Sequence, residues 1–462
     1  MASNSELPVA IIGAGPVGLA AAAQCASYGL SAVILERGPQ VAQSLRAWGH
    51  VRVFSPWSLI IDRAARKLLG TTGWQTPDED ALPTGAEIVS DYLEPLASHP
   101  AIAPHIRYGR AVMAVTRHIA DGPFSLRHRG ADGAEKNLMA RAVIDASGTW
   151  DCPNPMGIDG NLVPGEAALS GKIAYGLPDV AGMLRGQYVS KHTLVIGSGH
   201  SAMNIVLALL QVQKDAPETR VSWGLRHDNF EKLLGGGLND QLPARGELGL
   251  AAKRAITSGA LRLLAPLEVY KVSAAPDDQL RLDVMLKGRA MEILADRVVV
   301  STGFRPDLSL LQDLHLSLDP VVEAPTKLAP MIDPRLHSCG TVPPHGVVEL
   351  QHPETGFFIA GSKSYGRAPT FLMATGYEQV RSIVAELAGD HLAARQVQLV
   401  LPETGVCKGA QDVAGETASE GCCGGPAPTG VVACCVADAT AKKAGKDGCG
   451  CDSAPVAKTC CG

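Results

Sequence analysis

The chain has 462 residues, 46% of them hydrophobic and 19% charged, with a formal net charge of −5 and a pI near 6.2. That length accommodates two or three domains with a substantial core. The mild acidity gives no electrostatic basis for binding nucleic acid or an anionic membrane, and no apolar run of roughly 18 residues or more supplies a membrane span. The opening MASNSELPVA has no basic region ahead of its first apolar run, so no secretory leader is expected and the default compartment is a reducing cytoplasm.

Residues 8–38, PVAIIGAGPVGLAAAAQCASYGLSAVILERG, read as strand, glycine-rich turn, helix and strand. Apolar residues run from Val9 to Ile12, an alanine-rich stretch from Leu19 to Ala26 suits a helix lying close on a sheet, and Ala32–Leu35 is the second strand. GAGPVG fits G-x-G-x-x-G with a strand before it and a helix after it. Gly13 permits the tight turn, Gly15 lets backbone approach a pyrophosphate beside Pro16, and Gly18 lets helix and strand pack closely. The helix start then offers free N–H groups to phosphate. Glu36 is placed to accept from ribose hydroxyls and would repel a 2′-phosphate, so this first site, with Arg37 beside it, suits FAD or NAD rather than NADP.

Residues 39–140 mix Pro, Trp and charged residues with helical stretches such as 85–97. A second unit follows at HTLVIGSGHSAMNIVLALLQ (192–211), with GSGHSA supplying Gly197, Gly199, His200, Ser201 and, in the third small position, Ala202. Its next strand, VSWGLRH (221–227), ends without an acid and offers Arg226, with Arg220 and His227 nearby. A guanidinium pairs with a 2′-phosphate through charge-assisted bonds, which favours NADPH at this site. Two further strands end in small residues and a glycine, AVIDASGTW with Gly148 and RVVVSTGFRPD with Gly303. Both suit crossovers between domains beside a nucleotide. A third such strand ends at Gly361 and is followed by a helix starting near Phe371 or Thr375.

Beyond Leu401 the character changes. Nine of the twelve cysteines lie in the last 60 residues, with adjacent pairs at Cys422–Cys423, Cys434–Cys435 and Cys460–Cys461, and no aromatic residue follows Tyr377. Such a segment buries too little apolar area to offset its ordering entropy, so a flexible tail is expected. In a reducing compartment its thiols suit metal or redox chemistry better than structural disulfides. Thiolates select soft ions, and trivalent arsenic or antimony, Hg²⁺, Cu⁺, Zn²⁺ and Cd²⁺ all qualify. Cys25, Cys152 and Cys339 in the body are isolated, so no redox pair of the C-x-x-C type faces a cofactor.

The paired glycine motifs, the crossovers DASGTW and STGFRPD and the turn AGSKSYG resemble, in order, those of class B flavin-dependent monooxygenases over residues 8–390. The resemblance implies FAD in the first site and NADPH in the second. It implies hydride transfer to the flavin and reaction of the reduced flavin with dioxygen to a C4a-hydroperoxyflavin, which oxygenates a soft nucleophile. It also places residues 50–62 along the flavin ring, making Trp57 and Ser58 candidates for contact with flavin or substrate and Arg52 a candidate for pyrophosphate or NADP⁺. The sequence departs from that family at 163–180, which lacks the Phe and His of F-x-G-x-x-x-H.

Among the soft ions, trivalent arsenic is also a nucleophile toward a peroxide oxygen, which links the tail to flavin chemistry. The pattern resembles flavin monooxygenases of arsenic-resistance operons, and the vicinal thiols resemble those of arsenic metallochaperones. The expected fold is α/β: two Rossmann-like dinucleotide-binding domains, the NADPH domain (185–310) inserted in the FAD domain (1–165 and 330–400), and a Cys-rich tail (403–462). The expected activity is oxidation of arsenite or methylarsenite by a cytoplasmic FAD- and NADPH-dependent monooxygenase. Dioxygen is its co-substrate, tail cysteines 422, 423, 434, 435, 460 and 461 capture the substrate, and an arsenic metallochaperone or efflux system is its partner. Oxygenation of an organic amine or sulfide, and an NADPH-dependent flavoprotein reductase that handles metal, are the alternatives.

Overall fold

The computed structural model describes residues 6–228, 243–334 and 342–399, together with 439, 442 and 443. The six tail cysteines expected to bind a soft ion lie outside these residues.

The first unit forms as its pattern dictates. Strand β1 (Val9–Ile12) is buried throughout, helix α1 (Pro16–Ser27) begins with proline at its first turn, and β2 (Ala32–Leu35) pairs parallel with β1. Residues Val17–Cys25 of α1 are all buried, as expected of a helix apolar on every side. It lies between the sheet and the helix Met373–Leu387 near the end of the described chain.

Strand β3 (Ile106–Arg107) joins the far edge of that sheet, and β4 (Arg110–Thr116), β5 (Phe124–Gly130) and β6 (Glu135–Ala140) form a separate antiparallel sheet. The chain returns as β7 (Ala142–Asp145), parallel to β1 on its other side. The helical stretch expected at 85–97 is a helix over 85–98 whose middle, Val89–Leu93, is a π-turn, and whose start is a capping box between Thr84 and Glu87.

The chain then builds a second sheet on the same plan. Strands β8 (Ile173–Tyr175), β9 (His192–Ile196), β10 (Arg220–Gly224) and β11 (Arg262–Leu264) are interleaved with helices α2 (His200–Asp215) and α3 (Pro243–Thr257). Strands β12 (Leu267–Ala274), β13 (Leu280–Leu286) and β14 (Arg289–Ala295) make another antiparallel sheet, and β15 (Arg297–Val300) closes the parallel one. The buried residues of α2, among them Ala202, Ile205, Val206, Leu209 and Val212, recur at helical spacing on the face against this sheet.

After this insertion β16 (Phe357–Ile359) returns to the first sheet, and α4 (Met373–Leu387) packs on α1. The two strand orders are β16-β7-β1-β2-β3 and β8-β15-β9-β10-β11, all pairs parallel. Each sheet therefore has its first glycine-motif strand at the centre. Such strands are covered on both faces and read as continuous apolar runs. Approach of α1 and α4 is set by Gly376, where a methyl group would stand 2.6 Å from the Val17 side chain.

Candidate functional site

A cavity of about 550 Å³ opens where β1, β2 and β7 end. Carboxyl ends of parallel strands are where open α/β sheets bind ligands. Its walls come from Gly13, Gly15, Pro16 and Val17 of the glycine loop, Glu36 and Arg37 after β2, and Arg110–Met113 of β4. Residues Ala146–Cys152, Phe304 and Asp307 of the second crossover, the turn at Gly361 and Ser362, and Phe371 and Met373 ahead of and within α4 also line it.

The glycines of the loop do different work. Gly13 has φ +96°, and a Cβ there would lie 2.9 Å from the Ala146 carbonyl oxygen. At Gly18 a Cβ would lie 2.0 Å from the Gly13 carbonyl oxygen. Those two positions are closed by the protein itself. At Gly15, which lines the cavity, a Cβ would meet nothing within 4 Å. The one glycine that packs against no protein atom is the one whose backbone a pyrophosphate must approach, so this cradle fits a dinucleotide.

Glu36 is 5% exposed, and its carboxylate accepts from the Ala14 and Gly38 backbone N–H groups, each at 2.7 Å. The acid thus ties the glycine loop to the end of β2 and keeps lone pairs for a ribose. Arg37 pairs with Asp151 across the cavity wall, both about half exposed.

The two crossovers run side by side. The Asn154 N–H donates to the Gly303 carbonyl at 2.9 Å, the Arg305 N–H to the Cys152 carbonyl at 2.9 Å, and Trp150 stacks on Phe304 at 5.0 Å. Gly148 and Gly303 both have positive φ, 75° and 89°. Burial pushes the Cys152 thiol up, Asp307 and Asp151 add to the shift, and Lys363 and Arg37 oppose it. Burial works against ionisation of Asp307, but hydrogen bonds from Ser309 and the charges of Lys363 and Arg37 hold its carboxyl below the usual range.

The turn after β16 carries a feature that the sequence reading passed over. Lys363 and Asp145 have fully buried side chains, and the ammonium donates to Asp145 Oδ2 at 2.7 Å and to Ser147 Oγ at 3.1 Å. Buried Gln379 of α4 accepts from the Gly361 N–H at 2.8 Å and donates to Ser364 Oγ at 2.9 Å. Both AVIDASG and AGSKSYG were read for their glycines alone. The available signal was a pair of charged residues of opposite sign, Asp145 as the last residue of β7 and Lys363 in the turn just beyond the apolar β16.

The second glycine loop repeats the first. A Cβ at Gly197 would stand 2.1 Å from the Ser301 carbonyl oxygen, whereas one at Gly199 meets nothing within 4 Å. Buried Trp223 donates its indole N–H to the Gly197 carbonyl at 2.7 Å. His200 and Ser201 open α2, whose N-cap is Gly199, and Ala202 is fully buried. Arg226 is exposed just beyond β10. The His200 ring meets Phe54 edge-on at 5.3 Å, bringing segment 50–62 against the second loop.

Other candidates sit elsewhere. Trp57 is 4% exposed within the first core, and Ser58 is exposed with its N–H on the Glu79 carbonyl at 3.0 Å; neither lines the cavity. Packing consumes the indole because the short helix Trp57–Ile60 turns it inward. Arg52 is engaged by the Leu82 carbonyl and, at 3.7 Å, by Glu87, away from the cavity. Among the described residues no cluster of His, Cys, Asp or Glu is arranged to hold a metal, and no helix is long and apolar enough to cross a membrane.

Comparisons with known proteins agree with this architecture. A ferredoxin–NADP reductase of Lactococcus lactis subsp. cremoris strain SK11 is 23% identical over 394 residues, covering 84% of this chain and 96% of its own. Indole-3-pyruvate monooxygenase YUCCA1 of Oryza sativa subsp. japonica is 32% identical over 200 residues, 43% of this chain and 44% of its own. Among solved structures, bacillithiol disulfide reductase Bdr of Bacillus cereus superposes with a TM-score of 0.62 at 20% identity, over 83% of this chain and 99% of its own. The FAD-bound cadaverine monooxygenase DfoA of Erwinia amylovora does so with a TM-score of 0.59 at 12% identity, over 87% and 98%. The pyridine nucleotide-disulphide oxidoreductase model matches residues 10–339. With two glycine loops of one design on two sheets of one topology, and that match across most of its length, the chain belongs to the pyridine nucleotide-disulphide oxidoreductase family.

Proposed function

We propose that this oxidoreductase is an FAD- and NADPH-dependent monooxygenase that oxidises arsenite or methylarsenite to the pentavalent form. FAD belongs in the cavity at the first glycine loop, held by the backbone at Gly15, the α1 N-terminus and Glu36. NADPH belongs at the second loop, with its pyrophosphate at Gly199 and the start of α2 and its 2′-phosphate on Arg226. These cofactors supply hydride transfer and the activation of dioxygen. Arsenic gains one oxygen atom and gives up two electrons. The other oxygen leaves as water, formed with the hydride equivalent of NADPH and one proton from solvent.

The observation that carries the substrate is the tail, in which three vicinal cysteine pairs follow a two-dinucleotide fold. Paired thiols on one chain raise the local concentration of a soft ligand site. NADPH oxidation measured with and without methylarsenite or arsenite tests the reading. Stimulation with formation of the pentavalent product supports it, and an unchanged rate with no such product overturns it.

A second reading, an NADPH-dependent flavoprotein reductase that handles metal, is favoured by the likeness to ferredoxin–NADP reductase over 84% of the chain. The missing F-x-G-x-x-x-H points the same way. This enzyme would pass electrons from NADPH to an added acceptor and be indifferent to arsenicals.

A further inference from the structure

The cavity presents a charge problem. A dinucleotide brings a doubly negative pyrophosphate, and of the two arginines that line the cavity Arg37 is paired with Asp151 and the Arg110 guanidinium lies beside Gly130. A third cation, Lys363, lies close to the glycine loop. It does not line the cavity, but its partner Ser147 does, and the Ser147 Cα would stand 3.1 Å from a Cβ placed on Gly13. Lys363 is therefore one side chain behind the first glycine of the phosphate loop. Its neighbour Ser362 is also in the wall, with its hydroxyl 3.7 Å from where a Cβ on Gly148 would lie.

The environment holds this ammonium in one place. Asp145 Oδ2 takes one donor at 2.7 Å and Ser147 Oγ another at 3.1 Å, while Ser147 donates its own hydroxyl and N–H to Asp145 Oδ1 at 2.6 and 3.1 Å. The three groups form a closed ring with no solvent contact at Lys363 or Asp145. An ammonium has three donors, and the ring uses two. The backbone fixes the ring from both sides. Asp145 ends β7, Ile359 of β16 lies in register with it, and the Ala360 N–H donates to the Asp145 carbonyl at 2.9 Å. The pair is neutral as a whole, so what it gives the loop is a fixed geometry and not a net charge.

We propose that Lys363 is a positioning residue for the flavin dinucleotide. Held by Asp145 and Ser147, it locks the turn behind the phosphate loop and so fixes the Gly148 backbone in the cavity wall where the pyrophosphate would lie. Asp145 holds the ammonium in place in the absence of cofactor. The proposal rests on the reading that FAD fills this cavity.

The test uses full-length protein stripped of flavin and titrated with FAD, and separately with riboflavin, which has no phosphate. The variants are K363M, K363R and the double variant K363M/D145N. K363M alone leaves a buried carboxylate unpaired and is the variant most prone to misfold. The double variant removes both charges and keeps the Oδ1 acceptor for Ser147. It should unfold where the wild type does and bind FAD about 10-fold more weakly, the effect of misaligning one backbone hydrogen bond to the phosphate. Its riboflavin affinity should be unchanged. K363R should recover part of the FAD affinity.

If the double variant binds FAD within about threefold of wild type, Lys363 serves only to neutralise Asp145 and the proposal is overturned. Equal losses for FAD and riboflavin would overturn it too, because a general distortion of the site does not distinguish the two. Wild-type protein that binds no FAD overturns the reading of the cavity itself.

Discussion

Replacing Gly15 by alanine separates cofactor contact from folding. Gly15 sits at the N-cap of α1 with φ −81° and ψ −174°, extended backbone that alanine adopts freely, and a new methyl group there touches no protein atom within 4 Å. Alanine is a poorer cap than glycine, but it lowers the entropy of the unfolded chain. These terms have opposite sign and are each about 0.5–1 kcal/mol, so the net change in stability stays within about 1 kcal/mol. The methyl instead occupies the path by which a pyrophosphate reaches the backbone N–H groups. Losing one charge-assisted hydrogen bond costs about 1.5–3 kcal/mol, a rise of roughly 10- to 150-fold in the FAD dissociation constant. Quenching of FAD fluorescence on titration into stripped protein measures that constant, and a thermal melt of the same sample measures stability.

Gly18→Ala is the companion. Its methyl would stand 2.0 Å from the Gly13 carbonyl oxygen, so the loop must shift and the cofactor-free protein should lose about 1–3 kcal/mol. The refuting result is a Gly15→Ala protein that binds FAD as tightly as wild type, because a ligand indifferent to that position does not lie on the loop.

Three further outcomes follow. Asp62 caps the helix Arg63–Leu69, and burial pushes its carboxyl up from 3.8 to about 6 despite hydrogen bonds from Ala65 and Gln24. The native state then holds a proton that the unfolded chain has released, so stability falls as pH rises from about 4 to 6, by about 3 kcal/mol at most. Asp62→Asn, which keeps the cap acceptor, should flatten that slope in denaturant titrations; an unchanged slope contradicts the assignment. Arg226→Ser should raise the KM for NADPH by about 10- to 100-fold and leave that for NADH unchanged, and equal changes in both would remove Arg226 from the 2′-phosphate. Truncation after Leu401 should leave FAD content intact and lower arsenical turnover chiefly at low substrate concentration, whereas undiminished turnover there would make the tail dispensable.

Local signals announced much of this molecule. The two glycine loops, the strands that flank them and the crossovers could be read because each is a continuous run whose backbone demands are written in neighbouring residues. Gly13 and Gly197 show the same constraint, a crossover carbonyl occupying the space of a Cβ. Pairings between distant segments could not be read. Lys363 and Asp145 are 218 residues apart and meet only because β16 inserts beside β7. Trp57 and Arg52 were placed by resemblance of their segment to a flavin-facing one, but a helix of four residues turns the indole into the core, and the Leu82 carbonyl and Glu87 take the guanidinium. Glu36 was read for a ribose, yet its carboxylate also clamps Ala14 and Gly38. That second use depends on a loop geometry that a motif does not specify.

The proposed activity requires that reducing equivalents end in oxygenated arsenic. The most direct measurement counts pentavalent arsenic and NADP⁺ formed by the full-length, FAD-loaded protein in air, with catalase present and methylarsenite as substrate. One pentavalent arsenic per NADP⁺ is predicted. NADP⁺ that accumulates while the arsenic stays trivalent would contradict the account.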